Sequence, residues 1–377
     1  RKGMKTSQLL RAKTIDLRVT RPLTRERQEN SMQNQEEALA GAAVLKAKPR
    51  RLVFELTNAC NLNCVMCGRN AADFKPTQFQ MEWLHYFEDA AQRIEEVTLM
   101  GWGEPTVHPH FADFLKWAHR LGLRKYFCTN GMRLDQLFED IFETETDIIG
   151  VSMDGASAEM NSRIRRGSDF QKIVQSIERI TKYKYENGLE YPYLNFVFTA
   201  MEQNLTELPE LVRLAGEIGM DEVKVVYLTA FDDEMECQTL YDKMAYVEEV
   251  FEAALEAGQS CGVSLKLPHL VGEDPAGDAL HKPCYTAWRD FFLGSDGYIR
   301  PCMSTAEKLF PIQQYADFDQ MWNAPEYQQH RCRVNGCGME VSCRNCYQSS
   351  YANWNKRDSF LQIGKHFSPE WQKETEE

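Results

Sequence analysis

At 377 residues, 43% hydrophobic and 26% charged, the chain has the composition of a globular protein able to bury one large core with an appendage. Its net charge of -13 argues against a nucleic-acid binder, and no apolar stretch nears the roughly 20 residues that span a bilayer. Twelve cysteines, most in tight metal-type spacings, fit metal binding in a reducing cytoplasm better than a disulfide scaffold, and no signal-peptide pattern opens the chain.

Residues 1–50 form a basic extension: 12 Lys/Arg against 5 Asp/Glu give +7, leaving -20 for the remainder. It reads as a docking arm for an acidic partner or peptide, or as a solvated extension packed on the chain's own acidic body. From Arg51, strand and helix signals alternate. Strands are expected at 52–56, 97–100, 125–128, 148–153, 193–200 and 222–228, and helices at 80–95, 111–121, 134–142, 170–187 and 208–218. Asn130-Gly131 marks a turn, and Gly188 suits a helix C-cap. Six strand–helix units call for parallel strands with right-handed crossovers, an α/β fold forming a partial barrel over residues 51–235. Residues 236–282 supply a helix, a strand at 263–267 and a Gly/Pro/Asp-rich linker, and 283–377 a Cys-rich C-terminal domain.

The first strand runs into Cys60-Asn61-Leu62-Asn63-Cys64-Val65-Met66-Cys67. Three thiols spaced C-x3-C-x2-C can converge on one face of an iron–sulfur cube, but a [4Fe–4S] cluster wants four ligands, so one iron stays open. A structural zinc site would be closed by four ligands, and no fourth Cys or His follows within a few residues.

The spacing resembles the signature of the radical S-adenosylmethionine (SAM) enzymes. The resemblance implies a partial (β/α)6 TIM-like barrel in which SAM chelates the open iron. An electron from the cluster then cleaves SAM to a 5′-deoxyadenosyl radical that abstracts a hydrogen atom from substrate. Met66 stands where the family usually has an aromatic residue; its soft thioether suits an adenine face. Ligands of parallel α/β folds sit at the carboxyl ends of the strands. There, Gly101-Trp102-Gly103-Glu104-Pro105 resembles the family's Gly-Gly-Glu-Pro motif, which implies that Gly101, Gly103 and Glu104 hold the SAM ammonium. Ser152 and Asp154 fall where the family places ribose contacts. Arg163, Arg165 or Arg166 offers a fork-shaped guanidinium for the SAM carboxylate, with the choice open, Arg163 and Arg165 being the candidates carried forward. Asn195 and Tyr227 are adenosine contacts or plain strand residues.

Cys284, Cys302, Cys332, Cys337, Cys343 and Cys346 form a second cluster of thiols around a hairpin with an Asp296-Gly297 turn. This resembles the SPASM and twitch domains, which carry auxiliary [4Fe–4S] clusters. The C-x4-C-x5-C-x2-C run departs from the full two-cluster pattern, no cysteine follows Cys346, and six thiols cannot fill two four-ligand cubes. One auxiliary cluster on Cys284, Cys302, Cys343 and Cys346 is the expectation. Cys332 and Cys337 are then spare or hold a second, incomplete cluster; a zinc ribbon on Cys332, Cys337, Cys343 and Cys346 is the alternative. Cys128, Cys237 and Cys261 are small buried hydrophobes or, as in radical epimerases, hydrogen-atom donors.

The expected activity is hydrogen abstraction from an unactivated C–H bond, supported by an electron donor such as flavodoxin or ferredoxin. The leading reading is oxidation or epimerisation of a sugar- or cyclitol-type alcohol. The alternative is maturation of a ribosomally made peptide by epimerisation, cross-linking or thioether formation. A third class is a noncatalytic iron–sulfur redox sensor or electron carrier.

Overall fold

The computed structural model describes residues 21–71, 75–271, 283–302, 305, 307–336, 338–340, 343, 346, 357, 360 and 361. Cys337, residues 1–20 and most of the expected linker lie outside the described residues. The strands are β1 (Arg51–Phe54), β2 (Asn63–Cys64), β3 (Glu96–Leu99), β4 (Arg124–Thr129), β5 (Ile148–Ser152), β6 (Arg165–Arg166), β7 (Tyr193–Ala200), β8 (Glu222–Tyr227), β9 (Ser264–Lys266), β10 (Asp290–Leu293), β11 (Tyr298–Arg300) and β12 (Phe310–Pro311). Ten of them form one sheet in the order β12-β11-β10-β1-β3-β4-β5-β7-β8-β9. Every neighbouring pair from β10 to β9 is parallel, whereas β10–β11 and β11–β12 are antiparallel. The six expected strands are all present, and β9 continues them as a seventh.

Period-2 alternation explains the core. Leu52 and Phe54, Val97 and Leu99, Phe127, Ile149 and Val151, Phe196 and Phe198, and Val223 and Val225 all join one buried cluster. The helices covering them are α1 (Arg25–Leu39), α2 (Phe111–Arg120), α3 (Phe138–Glu143), α4 (Ala158–Ile164), α5 (Phe170–Glu186), α6 (Leu208–Glu217), α7 (Asp233–Glu236) and α8 (Met244–Cys261). In α6 the buried residues Leu208, Leu211, Val212 and Ala215 fall at helical spacing, giving one apolar stripe. Asp169 caps α5 by accepting from Lys172 N, and Gly188 follows its end with φ +62°.

Two expectations are corrected. Residues 80–95 are not an α-helix but two tight 3-10 turns over 81–87 and 90–92. There, packing of Phe87 on Phe54 and of Trp83 on Phe79 decides the backbone over helix propensity. The helix expected from 134 starts only at Phe138. Residues 21–50 pack on the body of the chain, as the second reading of the basic extension expects. Arg27, 7% exposed, donates to the carbonyls of Leu121 and Gly122 just after α2 and of Ala91 in the 3-10 turn over 90–92. Trp288 and Trp322 donate their indole N–H groups to Ala42 O and Ala47 O. Residues 21–50 thus strap the barrel sheet to the C-terminal helices α9 (Thr286–Arg289), α10 (Phe318–Trp322) and α11 (Pro325–Arg333).

Candidate active site

After β1 the chain turns through the three thiols, and β2 pairs antiparallel with β6, setting Cys64 opposite Arg165. This ribbon pins the thiol loop to the segment after α4. Gly103 is glycine because a Cβ there would collide with the carbonyl oxygens of Thr57 and Ala59, so the turn after β3 lies directly against the thiol loop. Glu104 N donates to Ala59 O at 2.9 Å across the same contact.

A pocket opens at these strand ends. Cys60, Cys64, Cys67 and Met66 line one side of it. Gly101, Gly103, Glu104, Ser152, Arg165 and Cys128 line the rest. The structure does not bring Asp154, Arg163, Asn195 or Tyr227 into that lining. Arg163 is exposed and pairs with Glu159 at 2.8 Å. Asn195 is wholly buried in β7. Tyr227 donates to His269 O at 2.8 Å and packs on Phe360. Cys237 and Cys261 are exposed at helix ends, away from the pocket.

The charges are arranged in pairs. Asp154, wholly buried, stands behind Arg165 with Oδ2 2.7 Å from Nε, an off-axis approach that makes it an ion pair more than a hydrogen bond. Asp154 Oδ1 also accepts from Thr199 N at 2.7 Å. Burial raises the Asp154 carboxyl, with Arg165 and Thr199 opposing; burial works against the Arg165 charge too, but Asp154 and the nearby thiols hold it protonated. Glu104 is a brace. Its Oε1 accepts from Thr106 Oγ1 at 2.6 Å and Thr129 Oγ1 at 2.7 Å, and its Oε2 from Asn130 N at 2.7 Å. That leaves Oε2 with acceptor capacity toward the pocket. Sequence reasoning treated Thr129-Asn130-Gly131 as a turn only; Asn130 also reaches Asn61 at 2.8 Å and Cys60 Sγ at 3.8 Å.

The thiol loop fits an iron–sulfur cluster. Burial pushes the Cys64 thiol up to about 11, and the Cys60 and Cys67 thiols up as well, so bare thiolates are disfavoured and need metal to offset them. Donors already point at the sulfurs: Leu62 N at 3.4 Å from Cys60 Sγ, and Arg165 Nη1 at 3.9 Å from Cys64 Sγ. Among the described residues no three His, Cys, Asp or Glu side chains gather closely enough for a single metal ion. A [4Fe–4S] cube would bond each of the three thiols to a different iron.

In the C-terminal domain Cys284 and Cys346 are close enough for each charge to act on the other. Asn335 clamps Cys284 from both sides, accepting from its N–H at 2.8 Å and donating to its carbonyl at 2.9 Å. Cys302 and Cys343 are half-buried, and Cys332 is exposed on α11.

The chain matches the Radical SAM superfamily over residues 54–215 and an iron–sulfur cluster-binding domain, SPASM, over residues 284–347. The chain carries a radical SAM domain followed by a SPASM domain. These two domains imply a [4Fe–4S] cluster with SAM, and auxiliary iron–sulfur binding in the SPASM domain. A tungsten-containing aldehyde ferredoxin oxidoreductase cofactor-modifying protein of Pyrococcus furiosus is 26% identical over 58% of this chain and 62% of its own length. An AdoMet-dependent heme synthase of Methanosarcina barkeri is 24% identical over 81% of this chain and 93% of its own length. The PqqA peptide cyclase of Gluconobacter oxydans is 25% identical over 80% of this chain and 84% of its own length. The chain thus spans less than two thirds of the first of these relatives. Among solved structures, Streptococcus suis SuiB bound to S-adenosylmethionine superposes with a TM-score of 0.63 at 17% identity, covering 92% of this chain and 81% of that one, which is a likeness of fold. No helix among the described residues is long and apolar enough to cross a membrane.

Proposed function

We propose that the protein is a radical SAM maturase that modifies one residue of a peptide presented at the pocket mouth. The observation that carries this reading is that the thiol-lined pocket and the SPASM domain occur in a chain that aligns over 80% of its length with a peptide cyclase. SuiB, whose fold this chain resembles, has also been captured with a precursor peptide. These relatives move the balance from the sugar or cyclitol alcohol to the peptide. A tetrapyrrole is the second reading, favoured by the span of the heme synthase alignment.

When bound, the cluster and SAM supply a 5′-deoxyadenosyl radical that takes a hydrogen atom from an unactivated C–H bond. The protein's own part is to hold and orient. Cys60, Cys64 and Cys67 hold the cluster, and Arg165, fixed from behind by Asp154, presents its fork to the SAM carboxylate. The backbone around Gly101 and Gly103 and the spare lone pair of Glu104 Oε2 face the ammonium. Met66 packs on the adenine and Ser152 reaches the ribose. Cys284, Cys302, Cys343 and Cys346 would hold an auxiliary cluster, which would supply an electron acceptor beside the substrate. Cys128, half-buried in the pocket wall, is placed to return a hydrogen atom. The protein works in the cytoplasm beside a flavodoxin- or ferredoxin-type donor.

The test is anaerobic incubation of the reconstituted protein with SAM and a strong reductant. It is offered, in separate reactions, the short peptides encoded beside its gene, iron-coproporphyrin and an aminocyclitol. The expected result is 5′-deoxyadenosine together with a peptide that has lost two hydrogens or gained one solvent deuterium. An untouched peptide beside a decarboxylated porphyrin or an oxidised cyclitol refutes the reading. An absence of 5′-deoxyadenosine under every condition favours the redox sensor.

A further inference from the structure

The turn that faces SAM rests on a buried carboxylate that belongs to neither motif. Glu55, 4% exposed, directly follows β1. Its Oε2 accepts from the Trp102 backbone N–H at 2.8 Å, and its Oε1 from Ser295 Oγ at 2.7 Å and Ser295 N at 3.4 Å. Ser295 lies in the β10–β11 turn of the SPASM domain. A carboxylate only accepts, so the single hydroxyl proton of Ser295 goes to Glu55, and Thr77 Oγ1 donates the 2.6 Å bond to Ser295 Oγ. The backbone repeats the link: Glu55 N donates to Leu293 O at 3.0 Å, and Met100 N to Phe54 O at 3.1 Å. Gly101 is glycine because a Cβ there would collide with the Glu55 side chain, so the turn is moulded on this residue.

We propose that Glu55 is a positioning residue that couples the seating of the SPASM hairpin to the Gly101–Gly103 turn, so that SAM binds tightly only when the hairpin is docked. The inference rests on SAM being the ligand of this pocket. Ser295 lines no part of the pocket, yet one of its bonds ends on the carboxylate that shapes it. A carboxylate serving stability alone would leave SAM affinity untouched.

The experiment uses the full chain, reconstituted anaerobically, as wild type, Ser295→Ala, Glu55→Gln and the double variant. SAM affinity is read by equilibrium dialysis, together with the SAM-induced change in the electron paramagnetic resonance spectrum of the reduced cluster. Arg27→Ala, remote from the pocket, controls for general destabilisation. Loss of the Ser295 bond to a buried charge should weaken SAM binding roughly tenfold at unchanged iron content. The double variant should be no weaker than the worse single, because both substitutions disrupt the same Glu55–Ser295 pairing. Glu55→Gln, near-isosteric, keeps the test open should Ser295→Ala fold poorly. Binding within about twofold of wild type in Ser295→Ala and Glu55→Gln overturns the proposal. So does an equal loss in Arg27→Ala. Failure of the wild type itself to bind SAM would instead remove the pocket assignment.

Discussion

Removing the Asp154 side chain isolates what the buried pair behind the SAM carboxylate site contributes. Asp154→Ala strands Arg165, whose side chain is 10% exposed, with its charge uncompensated, and deprives the Thr199 amide of its 2.7 Å acceptor. Breaking one side of a buried pair costs about 3–5 kcal/mol. The orphaned amide adds about 1–3 kcal/mol, partly offset by water entering the space left behind. Taking about 3–5 kcal/mol as the net, out of a total stability of roughly 5–15 kcal/mol, the loss is severe. At roughly 2–4 °C per kcal/mol in large domains, Tm should fall by about 6–20 °C. Asp154→Asn keeps an acceptor for Thr199 and strips only the charge, so it should fall between. The double variant Asp154→Leu with Arg165→Met removes both charges at once and should recover most of the stability while failing to bind SAM. Anaerobic scanning calorimetry of the apo and reconstituted forms, with SAM dialysis alongside, measures all of these. Single variants melting within about 2 °C of wild type would show that the pair is solvated and that its burial does not govern the site.

In the Cys60/Cys64/Cys67→Ala triple variant, iron and sulfide analysis should leave about four irons per chain if one auxiliary cluster is present; near zero supports the zinc ribbon and near eight a second cluster. Arg27→Ala leaves the carbonyls of Leu121, Gly122 and Ala91 without this donor. It should cost about 1.5–3 kcal/mol and open residues 21–50 to limited proteolysis. Asp290 gives a pH dependence. Burial opposes its charge, but Arg289 at 2.8 Å and Arg51 at 3.1 Å hold its carboxyl far below the usual carboxylate range. A depressed folded pKa means the stabilisation is complete above the unfolded value near 4 and is lost as pH falls through the folded one. Wild-type apoprotein should therefore keep a constant Tm advantage over Asp290→Asn from neutral pH to about pH 4 and lose it only below that. An advantage that shrinks already between pH 7 and 5 would contradict this assignment.

What could be read from the chain was what local spacing encodes. The parallel strands carry their own period and β-branched composition, so all six stood out, and the thiol loop and Gly101-Trp102-Gly103-Glu104 turn are contiguous. The arginine choice was not legible, because Arg163 and Arg165 are two residues apart with identical chemistry; only the pairing of β6 with β2 turns Arg165 to the pocket and leaves Arg163 on Glu159. Residues 21–50 read as a basic arm because Arg27, Asn30 and Asn34 are polar. Their burial comes from backbone carbonyls far along the chain, such as Trp288 O for Asn34.

Glu55 shows the same limit at the site itself. A single charge inside Leu52-Val53-Phe54-Glu55-Leu56 looks like the solvent-facing member of a strand. Its meaning comes from Ser295, 240 residues further on, and from β10 lying parallel to β1 with Arg51 opposite Asp290. Parallel pairing over such a separation leaves no local trace, since neither strand's composition specifies its neighbour. It follows that the SPASM hairpin is part of the barrel sheet. A truncation before residue 283 would expose the whole β1 edge and unseat Glu55 along with the auxiliary cysteines. Such a fragment should aggregate or fail to bind SAM even with Cys60, Cys64 and Cys67 intact.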